Sequence, residues 1–435
     1  MTGADRLPEI AGALRRAARR FGTPLVVTDD AELARASAEL ALAFPDPTIR
    51  QFSVKANDVP GIVARLGALG LGANVVSRGE WAVARQAGIP NARISLEGIG
   101  KTDADLRAVV RAASRLEPLL WTAIESADEA TVLRRLAAPV VAAGAERLDV
   151  LLRFNPAVEP ETLPGLAVGA ERSKFGLAAD ELAAAIEAGG GPHGPLRWRG
   201  IHLHVGSQLG AVDAWRDAVR RALALVGLLG GSLPAFDTLD LGGGFPVFDV
   251  GAPVPRPERF ARELADLLAA LPADRRPSRL AVEPGRFLVA RSGYLLARVL
   301  HVRERSGPMV VLDAGMTELI RPALYGARHG ITALTAGLRP WPAPGLAAGD
   351  GTAHPEPDLR LTAVEGPICE STDSFGPHPL PALVRGDLVV IRDAGAYASS
   401  LASTYNGRAR AAQVLLAADG TPILVRRRGS GTTIH

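Results

Sequence analysis

Residues 51–57 read Gln-Phe-Ser-Val-Lys-Ala-Asn, a short run of β-branched and aromatic residues that ends in a lysine and is followed by small and polar residues. This pattern predicts a strand with Lys55 at its carboxyl end. Enzymes built on parallel barrel strands carry their reactive groups at that end, where the loops converge on one mouth. For a single lysine, a solvated strand end is the alternative, so the rest of the chain has to separate the two interpretations.

Seven more strand-like runs follow, and amphipathic stretches of helical period separate them. The predicted strands are 51–55, 73–77, 93–97, 119–124, 148–154, 198–205, 237–241 and 279–283. The predicted helices are 59–69, 79–88, 102–116, 127–137, 180–189, 211–230 and 256–272, with Asp103 and Asp128 near two of their starts. Strands and helices that alternate in this way predict a (β/α)8 TIM-like barrel of about 250 residues. A doubly wound sheet is the competing architecture, and the count of eight strands favours the closed barrel.

The pattern changes after residue 290 to runs that alternate like antiparallel strands, with few helical stretches between them. These runs are 294–302, 309–312, 361–364, 388–391, 413–415 and 422–425. We therefore expect two domains, a barrel over 31–290 and a C-terminal antiparallel β-barrel or β-sandwich domain over 291–435. An N-terminal segment, 1–30, is expected to add a strand at 24–27 to the β-domain. The stretch 340–357 is dense in Pro, Gly and Ala and is expected to be a surface insertion.

Composition excludes several classes of protein. The formal net charge of the 435 residues is +3, and no basic run is interleaved with aromatic residues, which argues against nucleic-acid binding. No window approaches the roughly 18 apolar residues that a membrane span needs. Asp5, Arg6 and Glu9 stand where a signal peptide would carry its apolar core. A single cysteine, Cys369, excludes an intrachain disulfide and leads us to expect a cytoplasmic protein.

Two histidines lie near the end of the sixth predicted strand. Alternation places His202 and His204 on one face, and the inward face of a barrel leads to its mouth. Two histidines at this spacing could bind a metal ion, but the sequence shows no Cys, Asp or Glu cluster to complete the site, so no metal is predicted. A buried core histidine is the alternative for either residue alone.

The last two predicted strands end in residues suited to an anion and a heterocycle. Gly242–Gly244 follow the seventh strand, where consecutive glycines allow backbone N–H groups to approach a phosphate. Glu283 and Arg286 follow the eighth strand. A bare turn and a structural ion pair are the respective alternatives.

Lys55, His204, Gly242–Gly244 and Glu283 are thereby expected at one barrel mouth. This set suits a phosphorylated aldehyde, because it offers a lysine for a Schiff base, donors for a phosphate and a carboxylate for a pyridinium nitrogen. The residues therefore predict pyridoxal 5'-phosphate as the cofactor.

A dozen ordered motifs extend this interpretation along nearly the whole chain. They are Val54-Lys55-Ala56-Asn57, Val76-Ser77 with Gly79-Glu80, Leu152-Arg153-Phe154-Asn155-Pro156, Ser173-Lys174-Phe175-Gly176, His204-Val205-Gly206-Ser207-Gln208, Gly242-Gly243-Gly244, Glu283-Pro284-Gly285-Arg286, Asp313-Ala314-Gly315-Met316, Arg321-Pro322-Ala323-Leu324-Tyr325, Gly366-Pro367-Ile368-Cys369-Glu370-Ser371, Gly395-Ala396-Tyr397 and Tyr405-Asn406. In this order they resemble the fold-type III pyridoxal-phosphate-dependent decarboxylases, most closely the diaminopimelate decarboxylases. The resemblance implies an alanine racemase-like two-domain architecture and a homodimer with shared active sites.

The resemblance also implies a role for each site residue. Lys55 would be the Schiff-base lysine, His204 would stack on the cofactor ring, and Glu283 would pair with the pyridine nitrogen. The phosphate and its surroundings would be lined by Ser207, Gly243, Gly244, Gly285, Arg286 and Tyr397. The far end of the substrate would be held by Arg286, Arg321, Tyr325, Glu370 and Tyr397. Cys369 would protonate the substrate carbanion from the partner subunit of a dimer.

The implied substrate follows from the charges at the far end. Arginines that clamp a distal carboxylate and a Glu370 that accepts a distal ammonium suit meso-diaminopimelate, which would give L-lysine and carbon dioxide. Ornithine, lysine and arginine lack the distal carboxylate.

The chain departs from the family pattern in three places. Asn74 stands where an Asp is usual, 96–101 replaces the usual His-Gly-Asn before a lysine, and 161–172 lacks a usual His and Thr-Gly. The last stretch is expected to form a lid, and lids influence substrate choice.

Three other functions therefore stay open. One is a paralogous decarboxylase of a related amino acid, free or carrier-bound, in polyamine, siderophore or antibiotic synthesis. A racemase is less favoured, because no motif supplies a second base opposite the lysine. A pyridoxal-phosphate homeostasis protein would resemble the barrel alone.

Overall fold

The computed structural model describes residues 6–159, 162, 169–170, 172–247, 254–341 and 358–429. One compact unit is Arg35–Leu288, called here the barrel unit. The described residues of Met1–Ala34 and Val289–His435 form the other, called the β-unit.

The helices are α1 Leu7–Phe21, α2 Asp30–Ala43, α3 Pro60–Ala68, α4 Arg78–Gln86, α5 Asp103–Ser114, α6 Ala127–Ala142, α7 Leu182–Ala188, α8 Asp213–Leu229, α9 Pro257–Ala269, α10 Arg286–Val289 and α11 Arg321–Tyr325. The strands are β1 Leu25–Asp29, β2 Ile49–Ser53, β3 Gly72–Val75, β4 Ile94–Leu96, β5 Trp121–Ile124, β6 Leu148–Phe154, β7 Leu196–Leu203, β8 Thr238–Asp240, β9 Arg279–Val282, β10 Gly293–Glu304, β11 Pro308–Leu312, β12 Ile331–Ala333, β13 Thr335–Ala336, β14 Arg339–Pro340, β15 Arg360–Glu365, β16 Ser374–Leu380, β17 Leu388–Ile391, β18 Ala412–Leu416 and β19 Pro422–Arg426.

Strands β2 to β9 form a closed parallel barrel in chain order. The last strand returns to the first, with Ile49 opposite Ala281 and Arg50 opposite Val282. This closure confirms the (β/α)8 barrel and excludes the doubly wound sheet. Each of the eight predicted strands is present, with its two ends within two residues of the predicted bounds. The seven predicted helices are present as α3 to α9.

The helix starts follow their local sequence. Thr102 caps α5, where its hydroxyl accepts from Asp105 N–H at 3.3 Å and its own N–H donates to the Asp105 carboxylate at 2.8 Å. Ser126 caps α6 by accepting from Glu129 N–H at 3.1 Å. Asp103 and Asp128 lie in the first turns, where an acid interacts favourably with the helix dipole.

Three neighbouring barrel strands bring polar residues side by side. Arg153 of β6 lies opposite His202 of β7, and His202 lies opposite Asp240 of β8. The approach of β7 to β8 requires Gly200, since a Cβ there would lie 1.8 Å from the carbonyl oxygen of Thr238. These residues therefore face the interior near the carboxyl end of the barrel.

A nine-stranded sheet forms the centre of the β-unit. All six predicted runs after residue 290 are strands, as β10, β11, β15, β17, β18 and β19. Most pairs of neighbouring strands in this sheet are antiparallel, as the sequence predicts, but β1 pairs in parallel with β18 and β11 pairs in parallel with β15. Both parallel pairs join strands that are far apart in the chain, so no hairpin fixes their relative direction.

Strand β1 lies inside this sheet, between β10 and β18. Its five residues are buried, because both faces of the sheet are covered. On one face Leu25 and Val27 pack with Leu7 and Leu14 of α1. On the other face Val26 belongs to a second apolar cluster.

Two predicted segments fall largely outside the described residues. Of the expected lid, only 162, 169–170 and 172 are described, and of the expected insertion only 340–341. Within the described part of the chain, no helix is long and apolar enough to cross a membrane.

Candidate active site

Lys55 lies just beyond a barrel strand, as the sequence predicts. Strand β2 ends at Ser53, and a single 3-10 turn, Val54–Ala56, carries the lysine past it. The chain has two other lysines. Lys101 is buried with its Nζ 2.9 Å from Glu129 Oε1, and Lys174 is exposed. Lys55 is therefore the lysine available at the mouth of the barrel.

His204 and the glycine turn lie together after β7 and β8. Gly243 N–H donates to His204 Nδ1 at 3.3 Å. Burial lowers the pKa of His204 well below its usual range, and the positive charges of Lys55 and Arg153 lower it further. The ring is therefore neutral, with Nδ1 as an acceptor.

The glycines are required because the loops pack backbone to backbone. A Cβ on Gly243 would lie 2.5 Å from the Glu283 carbonyl oxygen, and one on Gly244 would lie 2.6 Å from that of Gly206. Gly244 also has φ of 101°, which favours glycine. Gly285 is similarly confined, because its Cβ would lie 3.1 Å from the Ser53 Cβ. The loops after β2, β7, β8 and β9 thus form one packed rim.

Glu283 follows β9 and is buried in this rim. Asn74 Nδ2 donates to its Oε1 at 2.8 Å, and Ser53 Oγ donates to its carbonyl oxygen at 2.9 Å. Burial raises the pKa of Glu283 well above its usual range, and the negative charge of Glu97 raises it further. Its surroundings therefore favour the protonated form of Glu283.

Arg286 and Ser207 offer a cation and a hydroxyl beside the glycine turn. The Nε and Nη2 atoms of Arg286 lie 3.4 and 3.3 Å from Ser207 Oγ. The chain around Ser207 is held by Thr162, whose hydroxyl donates to the Ser207 carbonyl oxygen at 2.5 Å. These donors suit an anion such as phosphate.

Three further polar residues surround Glu283: His202, which the sequence places on the inward face, and Glu97 and Asp240, for which it predicts no role. His202 Nε2 lies 3.2 Å from Glu97 Oε2 and 3.5 Å from Glu283 Oε2. Neither contact has hydrogen-bond geometry, and among the described residues both ring nitrogens lack a hydrogen-bond partner. Asp240 accepts from Gly242 N–H at 2.9 Å. Glu97 and Asp240 stand at strand ends just as Glu283 does, and that signal could have found them.

This cluster corrects one step of the sequence reasoning. His202 does have carboxylates beside it, and one ligand atom each of Glu97, His202 and Glu283 lies within 4.8 Å of the others. Atoms this close could share a metal ion or a proton. The absence of a metal ion from this cluster stays a prediction.

Five predicted site residues belong to the β-unit, and two of them form one exposed turn. Cys369 and Glu370 follow β15 and are exposed. Asp373 holds this turn, because its carboxylate accepts from Ile368 N–H at 2.7 Å and from Met316 N–H at 2.5 Å. Tyr405 donates its hydroxyl to Glu370 Oε1 at 2.7 Å, which orients the carboxylate.

The other three, Arg321, Tyr325 and Tyr397, are half-buried. Arg321 Nη1 lies 3.1 Å from His329 Nε2, and His329 Nδ1 lies 2.9 Å from the Arg392 carbonyl oxygen. Because arginine only donates, His329 accepts at Nε2 and carries its proton on Nδ1. Tyr397 has φ of 58°, which is uncommon for a residue other than glycine and often marks a functional position.

The barrel-unit residues fit pyridoxal phosphate by their chemistry. Lys55 supplies a primary amine for the aldehyde, and the buried carboxyl group of Glu283 supplies a partner for the ring nitrogen. Arg286 and Ser207 supply phosphate donors beside a turn in which a Cβ at Gly243 or Gly244 would collide with backbone. The neutral His204 offers an aromatic face.

Comparisons with known proteins agree with this chemistry. Residues 30–290 match the family model described as pyridoxal-dependent decarboxylase, pyridoxal binding domain. The chain is 33% identical to a diaminopimelate decarboxylase of Aquifex aeolicus, covering 96% of this chain and 91% of that protein. It is 35% identical to one of Neisseria meningitidis, covering 95% and 94%. A crystal structure of diaminopimelate decarboxylase from Helicobacter pylori complexed with L-lysine matches with a TM-score of 0.83 at 26% identity, covering 96% of this chain and 97% of that one. The chain belongs to the pyridoxal-dependent decarboxylase family, and these relatives within it are diaminopimelate decarboxylases.

Proposed function

We propose that the protein decarboxylates meso-diaminopimelate to L-lysine with pyridoxal phosphate held at the carboxyl ends of the barrel strands. The observation that carries the cofactor assignment is the packed rim that brings Lys55, His204, Glu283 and Arg286 to one mouth. The substrate assignment is supported by relatives at 33–35% identity that match along nearly their whole length.

Each barrel residue would hold one part of the cofactor. Lys55 would bind the aldehyde carbon, His204 would pack on the ring, and Glu283 would share its proton with the ring nitrogen. Ser207, Gly243, Gly244, Gly285, Arg286 and Tyr397 would surround the phosphate. When bound, the cofactor supplies an electron sink for the bond between the α-carbon and its carboxylate.

Residues of the chain itself would then deliver one proton and bind the charged groups of the substrate. Cys369 is an exposed thiol in this single chain. In the homodimer that we propose, the partner subunit's Cys369 would deliver a proton to the substrate α-carbon. Arg321, Tyr325 and Glu370 would hold the distal carboxylate and ammonium, which simple diamine precursors do not both carry.

The decisive experiment measures carbon dioxide released from four amino acids. We expect turnover of meso-diaminopimelate, with lysine, ornithine and arginine slower by at least about 10⁴-fold, because a site built for a polar group leaves its own groups unpaired without it. If one of the other three is the better substrate, the paralogous-decarboxylase function replaces this one. If the α-proton exchanges without release of carbon dioxide, racemase activity replaces the proposed function.

A second prediction concerns His329, which contacts Arg321 but would not contact the reacting atoms. Replacing His329 by Ala removes an acceptor that helps to orient the guanidinium of Arg321, so KM for meso-diaminopimelate should rise roughly tenfold with kcat little changed. Steady-state kinetics would show this. His301→Ala, an exposed histidine of the same unit, is the matched control and should leave KM unchanged. A loss confined to kcat would contradict the proposed role of Arg321.

The cysteine content of the chain supports a proposal about its location. A single cysteine is what we expect of an enzyme of the reducing cytoplasm, and we propose that location.

A further inference from the structure

The barrel mouth contains more buried acid than the proposed function uses. Glu97, Asp240 and Glu283 are 4%, 0% and 4% exposed. The proposed function assigns a role to Glu283 alone. Glu97 Oε1 and Asp240 Oδ2 lack a hydrogen-bond partner among the described residues, as do both nitrogens of His202. Buried polar atoms without partners destabilise the folded state, and where they occur they often mark a functional site.

The three carboxyl groups interact directly. One carboxylate oxygen each of Glu97 and Glu283 lie within 4.8 Å of each other, and the charges of both residues act on Asp240. Three negative charges cannot be buried at such separations, so most of these groups must be neutral. The neighbours of each carboxyl decide which group keeps its charge.

The surroundings favour a charge on Glu97. Burial works to raise the pKa of Glu97, but His202, the hydrogen bond with Glu283 and the charge of Arg153 together lower it. Burial raises the pKa of Asp240 well above its usual range, and the charge of Glu283 adds to this. Burial raises the pKa of Glu283 as well, and the charge of Glu97 raises it further. Of the three acids, Glu97 is therefore the one whose surroundings favour the charged form, and its Oε2 lies 3.2 Å from His202 Nε2.

We propose that Glu97 is a positioning residue that acts through Glu283. The buried negative charge of Glu97, beside His202, keeps a proton on the pair formed by Glu283 and the cofactor's ring nitrogen. This inference rests on the proposed function, in which Glu283 faces that nitrogen. A proton retained there maintains the electron sink, since a protonated ring accepts electrons more readily than a neutral one.

Other groups also face this proton, and the inference has to be separated from their effects. From every barrel strand packed around Glu283, the facing polar or charged groups are Lys55, Asn74, Glu97, Glu125 with its partner Arg153, His202, His204 and Asp240.

The test titrates the holoenzyme loaded with pyridoxal phosphate that is isotope-labelled at the ring nitrogen. Its nitrogen chemical shift reports the protonation of that atom directly, with no need for turnover. In Glu97→Gln, which removes the charge and keeps the shape, the ring nitrogen should lose its proton at a pH lower than in the unmodified protein by about one unit or more. The alkaline limb of the kcat profile should move with it.

Two matched variants separate charge from structure. Glu97→Asp keeps the charge, so the ring nitrogen should titrate at nearly the same pH as in the unmodified protein. Asp240→Asn replaces a neutral acid by a neutral amide that can still accept from Gly242 N–H, so its titration should match that of the unmodified protein. If Asp240→Asn moves the titration and Glu97→Gln does not, the inference is wrong.

A measurement on the unmodified apoprotein covers the case in which Glu97→Gln fails to fold. Its infrared spectrum at neutral pH should contain the carbonyl stretch of a protonated carboxyl that Glu283→Gln removes, and the lack of such a band would overturn the inference. So would a stoichiometric metal ion found by elemental analysis.

If the unmodified protein does not bind pyridoxal phosphate, the proposed function fails. If it binds the cofactor and Glu97→Gln titrates like the unmodified protein, only this inference fails.

Discussion

Replacing Lys55 by Ala should abolish covalent attachment of the cofactor and reduce kcat by roughly 10³-fold or more. The variant keeps the rest of the rim, since Lys55 follows β2 in a single 3-10 turn whose neighbours Val54 and Ala56 are buried. Pyridoxal phosphate would then be held only by non-covalent contacts. Absorbance in the visible range, together with mass spectrometry after borohydride reduction, would show whether the chain still carries the group.

Lys174→Ala is the matched control, because it removes an exposed lysine from the same unit. It should keep both covalent attachment and turnover. The third lysine is a poor control, since Lys101 is buried against Glu129 and its loss would disturb the barrel. Covalent attachment that survives in Lys55→Ala would exclude Lys55 as the anchor and with it the arrangement proposed for the mouth.

The barrel could be predicted because each strand and helix carries its own local signal. Runs such as 148–154 are short, apolar and bounded by polar turns, and the structure places β6 over Leu148–Phe154. Strand β16, Ser374–Leu380, escaped prediction because it contains two prolines and a glycine, which oppose regular strands. Its pairing with β15 comes from tertiary contacts that no local pattern contains.

The candidate site was predictable where one residue at a strand end carries the chemistry, as at Lys55 and Glu283. It was not predictable where chemistry depends on side-by-side placement. Glu97 and His202 are 105 positions apart, and only closure of the barrel brings their side chains to 3.2 Å. The same applies to His329, whose role follows from a contact with Arg321 and from no motif.

Replacing Cys369 by Ala should reduce kcat for meso-diaminopimelate by about 10²–10⁴-fold, the usual contribution of a general acid, with KM changed little. The thiol is exposed and its turn is held by Asp373, so the substitution should leave the β-unit folded. Cofactor absorbance should also be unchanged, which separates this variant from Lys55→Ala. A kcat close to that of the unmodified protein would exclude Cys369 as the acid.

Mixing the two inactive variants tests whether active sites are shared between subunits. In a dimer of one Lys55→Ala chain and one Cys369→Ala chain, a shared arrangement leaves one site with both residues and the other with neither. Random exchange makes about half of the dimers mixed, and half of their sites intact, so activity should return to about a quarter of the unmodified level. If each site used the lysine and the cysteine of its own chain, every site in the mixture would lack one of them and no activity would return. The recovered fraction therefore distinguishes a partner subunit's Cys369 from one that acts within its own chain.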